Sequence, residues 1–181
     1  MFNNAVKILM GISMISFLSF SKGEISFQKQ LITENSKKIE IIENNEKDNA
    51  IKNSRDREEK IRYKIVEFAK TQIGKPYVYG ATGNNSFDCS SFVQYVFKKT
   101  LGITIPRVSA EQSIFKPKLH NNIKKGDLLF FETLEKGRIS HVGMYIGNRQ
   151  FIHASSKSKR VTVSQFAGFY QEKFRWAVSV I

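Results

Sequence analysis

The single cysteine of this 181-residue chain, Cys89, stands between Asp88 and Ser90, at the head of a stretch whose apolar residues recur with helical period. Phe92, Val93, Val96, Phe97 and Leu101 form one stripe, and Gly102 follows them. Asp88 is a good N-cap residue, and residues 80–86 are dense in turn formers, so the spacing predicts a helix that begins at the cysteine itself. Amides at a helix N-terminus are unpaired and carry partial positive charge, which favours thiolate over thiol and offers donors to a nearby oxyanion. A cysteine there is poised for nucleophilic attack. The competing reading is a free cysteine buried as a small hydrophobe.

A nucleophile of this kind needs a base. Two of the three histidines, His141 and His153, fall in segments of strand-like alternation, Ile139 to Gly147 and Gln150 to Ser155, joined through residues 147–149. Side chains 141, 143 and 145 share one face of the first segment, and 151 and 153 share one face of the second. A three-residue loop with Gly147 or Asn148 left-handed would set residue 143 opposite 153 and bring both histidines to one face. A two-residue loop would put them on opposite faces. A thiol, an imidazole to take its proton and a second polar group to fix the imidazole's tautomer make up the set that acyl transfer requires. Two satisfied structural histidines are the alternative. A zinc site is a further rival, disfavoured because no local ligand pair such as C-x2-C accompanies the lone cysteine.

The elements that must position these groups lie in residues 61–181, enough for one domain with a single core. Ile61 to Ile73 reads as a helix with Ile65, Val66, Ala69 and Ile73 on one side and Gly74 closing it. Residues 75–80 and 103–108 read as extended, and Ser109 to Gln112 has the spacing of a capping box opening a short helix. Leu128 to Glu132, Ile139 to Gly147, Gln150 to Ser155, Arg160 to Val163 and Phe174 to Ile181 read as strands. Helices followed by a meandering antiparallel sheet of about five strands predict an α+β domain with the nucleophile's helix packed on the sheet.

Two segments precede that domain. Residues 1–21 combine Lys7 and no acid with an apolar run, Ile8 to Phe20, which is short for a bilayer span and matches a secretory signal peptide; an uncleaved anchor is the alternative. Export past the inner membrane is therefore expected, and the lack of a cysteine near the cleavage region excludes an acylated N-terminus. Residues 22–60 carry basic and acidic side chains in equal number and no proline, the composition of a solvated spacer, partly disordered or helical. A short coiled coil through Leu31, Ile39, Ile41 and Ile42 is the alternative, although no heptad is sustained.

The formal charge is +13, and nearly all of the excess falls on residues 61–181. Such a surface concentrates anionic partners, which for an exported protein are cell-wall polymers and the membrane face. Nucleic acid is not expected: the basic residues are scattered and not interleaved with an aromatic stacking platform.

Several short motifs then carry a resemblance. Lys75-Pro76-Tyr77-Val78-Tyr79-Gly80, Phe87-Asp88-Cys89-Ser90-Ser91, Ile105-Pro106-Arg107-Val108-Ser109 with Gln112, Lys125-Gly126-Asp127-Leu128, Ser140-His141-Val142-Gly143-Met144-Tyr145-Ile146-Gly147 and Phe151-Ile152-His153-Ala154 resemble, in order and spacing, the NlpC/p60 cell-wall cysteine peptidases. The resemblance covers essentially all of residues 61–181. It implies a papain-like α+β fold, with Cys89 as nucleophile, His141 as base and His153 as the orienting residue. It implies hydrolysis of peptidoglycan stem peptides, typically between D-glutamate and a diamino acid such as meso-diaminopimelate, by attack of a Cys89 thiolate paired with a His141 imidazolium; no metal or organic cofactor is needed, and a monomer is expected.

By the same resemblance Tyr77 is a candidate oxyanion or substrate donor, or else an amphipathic core residue. Asp88 and Ser90 would help bind the stem peptide, although a plain N-cap explains Asp88 equally; Arg107 would face a substrate carboxylate or serve its own loop. The sequence departs from the family at Ala81 and Ser91, where glycine is usual, and at Tyr79, where tryptophan is common. These departures concern packing and cleft width. A muramoyl-L-alanine amidase of similar chemistry, a non-catalytic wall-binding module and an exported toxin aimed at a competitor's wall are the alternatives.

Overall fold

The computed structural model describes residues 22–134 and 137–181. The expected signal segment lies outside the described residues. Among the described residues no helix is long and apolar enough to cross a membrane. The chain divides into two compact units, residues 1–53 and 54–181.

Helix α1 runs from Lys22 to Lys70. The expected helix at Ile61 is thus the last part of a longer one, and the charged stretch before it is helical. Throughout the first unit the described side chains of α1 are exposed, including Leu31, Ile39, Ile41 and Ile42. In the second unit Ile65, Val66 and Ala69 are buried, as the stripe predicts, whereas Ile73 is exposed. The reason is that α1 ends at Lys70. Residues 71–74 turn, with the amides of Gln72 and Ile73 bonding to the carbonyls of Ala69 and Lys70, so Gln72 points inward in place of Ile73.

Arg62 pins this end of α1 to the sheet. Its guanidinium reaches Asp127 at 2.8 Å, the Lys125 carbonyl at 2.9 Å, Ser179 at 3.0 Å and Glu58 at 2.8 Å. Asp127 in turn accepts from the Lys124 amide at 2.8 Å. Burial works against the Arg62 charge, yet the bonds to Asp127 and Glu58 hold its pKa above the ordinary arginine value.

A two-residue ribbon follows, β1 Thr82–Gly83 with β2 Ser86–Phe87, and then helix α2, Cys89–Leu101. Gly102 caps α2 in the left-handed region at φ 71°, where a side chain would be strained. Short helix α3, Ser109–Gln112, starts one residue earlier than its expected cap: Val108 occupies the N-cap and no side chain bonds there, so the capping box is not formed. The main sheet holds β3 Lys118–Leu119, β4 Leu128–Phe131, β5 His141–Gly147, β6 Gln150–Ser155, β7 Arg160–Gln165 and β8 Phe174–Val178, with helix α4, Phe169–Lys173, before the last strand. Its order is β3-β8-β4-β5-β6-β7, a meander whose final strand returns beside the first long one. The five expected strands are present; β3 adds a sixth that is too short to carry an alternation signal.

Alternation gives the sheet two apolar faces. Val142, Met144, Ile152 and Ala154 pack with Phe92, Val93, Val96 and Phe97 of α2 and with Ile65 and Val66 of α1. Leu129, Phe131, Phe151 and Ala177 form a second core on the other face, covered by Phe166, Tyr170 and Phe174. The protein is α+β, with the cysteine-bearing helix laid on an antiparallel sheet.

Candidate active site

Local sequence sets Cys89 in place. Asp88 accepts from the Ser91 amide at 2.7 Å while the Ser91 hydroxyl accepts from the Asp88 amide at 3.0 Å, a reciprocal cap that fixes the first turn of α2. The cysteine is N1 of the helix. Its chain arrives along the sheet edge, where the Tyr77 amide bonds to the Lys159 carbonyl and the Val161 amide to that of Lys75.

His141 opens β5, and its side chain alternates to the face opposite α2, where its ring meets Phe131 and Tyr170. Because it sits at the strand's first residue, it still lines the same cleft as Cys89, a cavity of about 790 Å³. Tyr77, Asp88, Ser90 and Arg107 line that cleft too. His153 does not. It lies fully buried behind His141, with Nδ1 2.7 Å from His141 Nε2 and Nε2 3.0 Å from Ser164 Oγ.

The strand connection reaches this arrangement by a different device from the one expected. Gly147 pairs with Gln150, so the turn has two residues, Asn148 and Arg149, both with positive φ. An irregularity between Tyr145 and Gly147 inserts the extra residue, and Tyr145 therefore faces Phe151 and Met144 faces Ile152. The bulge restores the parity that a two-residue turn alone would have reversed, leaving both histidines on one face.

Gly143 lies between them on that face. A β-carbon built there would come within 2.5 Å of Phe151 Cδ2 and 3.2 Å of His153 Cβ. The substitution Gly143→Ala is expected to destabilise the domain by about 2–3 kcal/mol through overpacking and to displace His153. Denaturant melts that match the wild type would refute this.

Burial dominates the electrostatics. It raises the Cys89 thiol to about 11, helped by the Asp88 charge and opposed by the amides of Val142, Ser90 and Cys89 itself. It lowers His141 to about 4, and lowers His153 as well, with His141 adding to the effect. Burial thus favours thiol and neutral imidazole at rest, against the thiolate and imidazolium pair of the expected mechanism. Desolvation outweighs the pull of the helix amides. A neutral His141 that gives its Nε2 proton to His153 leaves Nδ1 as its remaining basic nitrogen.

These shifts have a sign in stability. Unfolded histidines take up protons below about pH 6.5, whereas the folded ones resist until about pH 4 or lower. Stability present above the unfolded value is thus lost as pH falls through 6.5 toward 4, at on the order of 1 kcal/mol per pH unit for each histidine. Urea midpoints measured across that range should fall steeply in the wild type and less so in a His141→Gln, His153→Gln double variant. Equal slopes would contradict the assignment.

Asp88 and Arg107 are tied to each other. Arg107 Nη2 lies 2.6 Å from Asp88 Oδ2, Nη1 lies 3.1 Å from Asp88 Oδ1 and 3.0 Å from Ser90 Oγ, and Nη2 also reaches the Ala81 carbonyl at 2.8 Å. Burial would raise the Asp88 pKa, but the bonds from Arg107, Ser91 and Ser90 prevail and hold it below the usual carboxylate value. The Tyr77 hydroxyl is raised by burial first and then by the neighbouring Cys89, Asp88 and Tyr79. Sequence reasoning missed Ser164 because it ended the strand at Val163; one more step of the alternation would have put residue 164 on the face of His153. It missed Ser140 also, whose hydroxyl accepts from the Thr133 and Leu134 amides at 2.9 and 3.2 Å and holds the loop before His141.

Comparison with known proteins follows the same residues. The family model described as the NlpC/P60 family matches residues 74–180. Gamma-DL-glutamyl hydrolase of Bacillus subtilis is 44% identical over 59% of this chain and 26% of its own length. Murein DD-endopeptidase MepH of Escherichia coli is 35% identical over 56% of this chain and 39% of its own. The chain thus spans between about a quarter and two fifths of these relatives. Among solved structures, an NlpC/P60 family protein from Bacillus cereus superposes with a TM-score of 0.61 at 33% identity, over 65% of this chain and 39% of that one. The chain belongs to the NlpC/P60 family.

Proposed function

We propose that the protein is a cysteine peptidase that hydrolyses peptide bonds of peptidoglycan stem peptides, acting in the cell envelope or outside it after export. The observation that carries this reading is the shared cleft of Cys89 and His141, with His141 already bonded to a buried partner at 2.7 Å. On substrate binding the thiol gives its proton to His141 Nδ1, and sulfur attacks the scissile carbonyl. The oxyanion that forms lies near the N-terminal amides of α2, with the Tyr77 hydroxyl as a second donor. His141 returns the proton to the leaving amine, and water then releases the acyl group by the same base. Asp88, Ser90 and Arg107 shape the neighbouring wall and present a polar, hydrogen-bonded surface to the stem peptide.

For the bond, we favour the γ-linkage of D-glutamate to a diamino acid, in keeping with the name of the Bacillus subtilis relative. The name of the Escherichia coli relative favours a second reading, a cross-link between D-configured centres. Digestion of purified peptidoglycan followed by mass spectrometry separates them. Products ending in D-glutamate support the first. Cleaved cross-links with intact stems support the second, and lactyl-free stems starting at L-alanine would point to an amidase. A chain that sediments with the wall but releases nothing would overturn hydrolysis in favour of a binding module.

A further inference from the structure

We propose that Ser164, backed by Tyr170, is a positioning residue for this chemistry: its hydroxyl accepts the His153 proton at Nε2 and so keeps His153 Nδ1 open to receive a hydrogen bond from His141. The proposal rests on the reading of Cys89 and His141 given above.

When the thiol proton moves from Sγ to His141 Nδ1, the S–H bond breaks, an N–H bond forms and the electron pair stays on sulfur. His141 then carries hydrogen on both nitrogens. Its Nε2–H faces His153 Nδ1 at 2.7 Å. If His153 bore its own hydrogen on Nδ1, two N–H groups would oppose each other at that distance, and the imidazolium would lose its acceptor. His153 must therefore carry its proton on Nε2, and Ser164 Oγ is the group within bonding distance there, at 3.0 Å.

His153 is fully buried, and Ser164, at the less buried end of the bond, stands between its Nε2 and solvent. The Tyr170 ring stands edge-on to the His153 ring at 5.4 Å and packs on Phe151 at 4.8 Å and Phe131 at 5.5 Å, closing the back of the histidine pair. The Tyr170 hydroxyl lies beside both Ser164 and Ser155. Ser164 can therefore turn its own hydrogen toward the tyrosine and leave its lone pair for His153. A hydroxyl suits this place because it accepts and donates at once, so the chain can reorient as the proton passes to His141 and back. A methyl group there would leave a buried N–H unpaired, or push His153 into the opposite tautomer.

The test uses the full chain labelled with 15N in histidine, comparing wild type with Ser164→Ala, Ser164→Thr and Tyr170→Phe. Nitrogen shifts at neutral pH report the His153 tautomer, and hydrolysis of purified peptidoglycan reports the reaction. The wild type should show His153 protonated on Nε2. In Ser164→Ala that state should collapse to a mixture, and kcat should fall about tenfold with KM unchanged, the worth of one hydrogen bond between neutral groups. Ser164→Thr, which restores the hydroxyl, should recover both, and Tyr170→Phe should move both in the direction of the alanine variant by less. Unchanged tautomer or unchanged kcat in Ser164→Ala, or failure of the threonine to rescue a correctly melting protein, would overturn the proposal. A wild type inactive on every wall substrate, with a tautomer that nonetheless responds to Ser164, would overturn the assigned chemistry while supporting the hydrogen-bond assignment.

Discussion

Replacing Cys89 with alanine should abolish release of stem-peptide fragments from purified wall, a loss of at least about 10⁴-fold, while leaving the fold intact. The size follows from the role: without sulfur no acyl intermediate forms, and what remains is binding and an oxyanion pocket without a nucleophile. Stability should change little, because Cys89 sits at the cleft edge and Asp88 and Ser91 cap α2 without it. Cys89→Ser should be almost as inactive, since a hydroxyl is far harder to deprotonate than a thiol and His141, held near 4, is a weak base at rest. The same electrostatics make the free thiol slow to alkylate at neutral pH, with iodoacetamide reacting faster as pH climbs toward the Cys89 value of about 11. Fragments released undiminished by Cys89→Ala would end the cysteine-peptidase reading. Rapid alkylation that levels off below pH 8 would instead show that a thiolate and imidazolium pair exists before substrate arrives.

The second large effect is on stability. Asp127→Ala should destabilise the domain by about 3–5 kcal/mol, because it strands a guanidinium that is nine-tenths removed from water. Arg62 would keep the Lys125 carbonyl, Ser179 and Glu58, but lose the carboxylate that offsets its charge, and the Lys124 amide would lose its acceptor as well. Replacing both partners, Arg62→Met with Asp127→Leu, should recover much of the loss, since neither charge then has to be desolvated. Urea denaturation of the single and double variants provides the comparison. A single variant within about 1 kcal/mol of wild type would mean that Arg62 swings out to solvent when its partner is gone. Glu58, more exposed and shared with Lys124 at 3.0 Å, should matter far less.

Much of this architecture could be read before any coordinates. The stripe of Phe92, Val93, Val96 and Phe97, the cap at Asp88 and the stop at Gly102 are local signals, and α2 begins and ends where they say. The strand carrying His153 has the predicted bounds, Gln150 to Ser155, because a six-residue alternation between turn residues leaves little freedom. Order and spacing of the short motifs pointed to the family to which the chain belongs. These are properties of neighbours in the chain, and period, capping and turn chemistry suffice for them.

Other features depend on parts of the chain that meet only in the fold. The facing of His141 and His153 rests on a bulge near Ile146 that offsets a two-residue turn, and no local rule distinguishes that from the three-residue loop that would give the same register. The state of the thiol depends on the fold for a related reason. A helix terminus is visible in sequence, but the burial that raises Cys89 and lowers His141 comes from β5 and α2 closing on one another. Sequence offered Arg107 both a substrate carboxylate and a role in its own loop, but only the fold supplied its partner, Asp88 at 2.6 Å. Ser164, eleven residues beyond His153, enters only because β7 lies beside β6. Residue types, period and spacing name the candidates for the chemistry and the elements that carry them. Their partners, their register and the burial that bears on their protonation come from the fold, because desolvation and long-range hydrogen bonds are set by packing between segments and not by order along the chain.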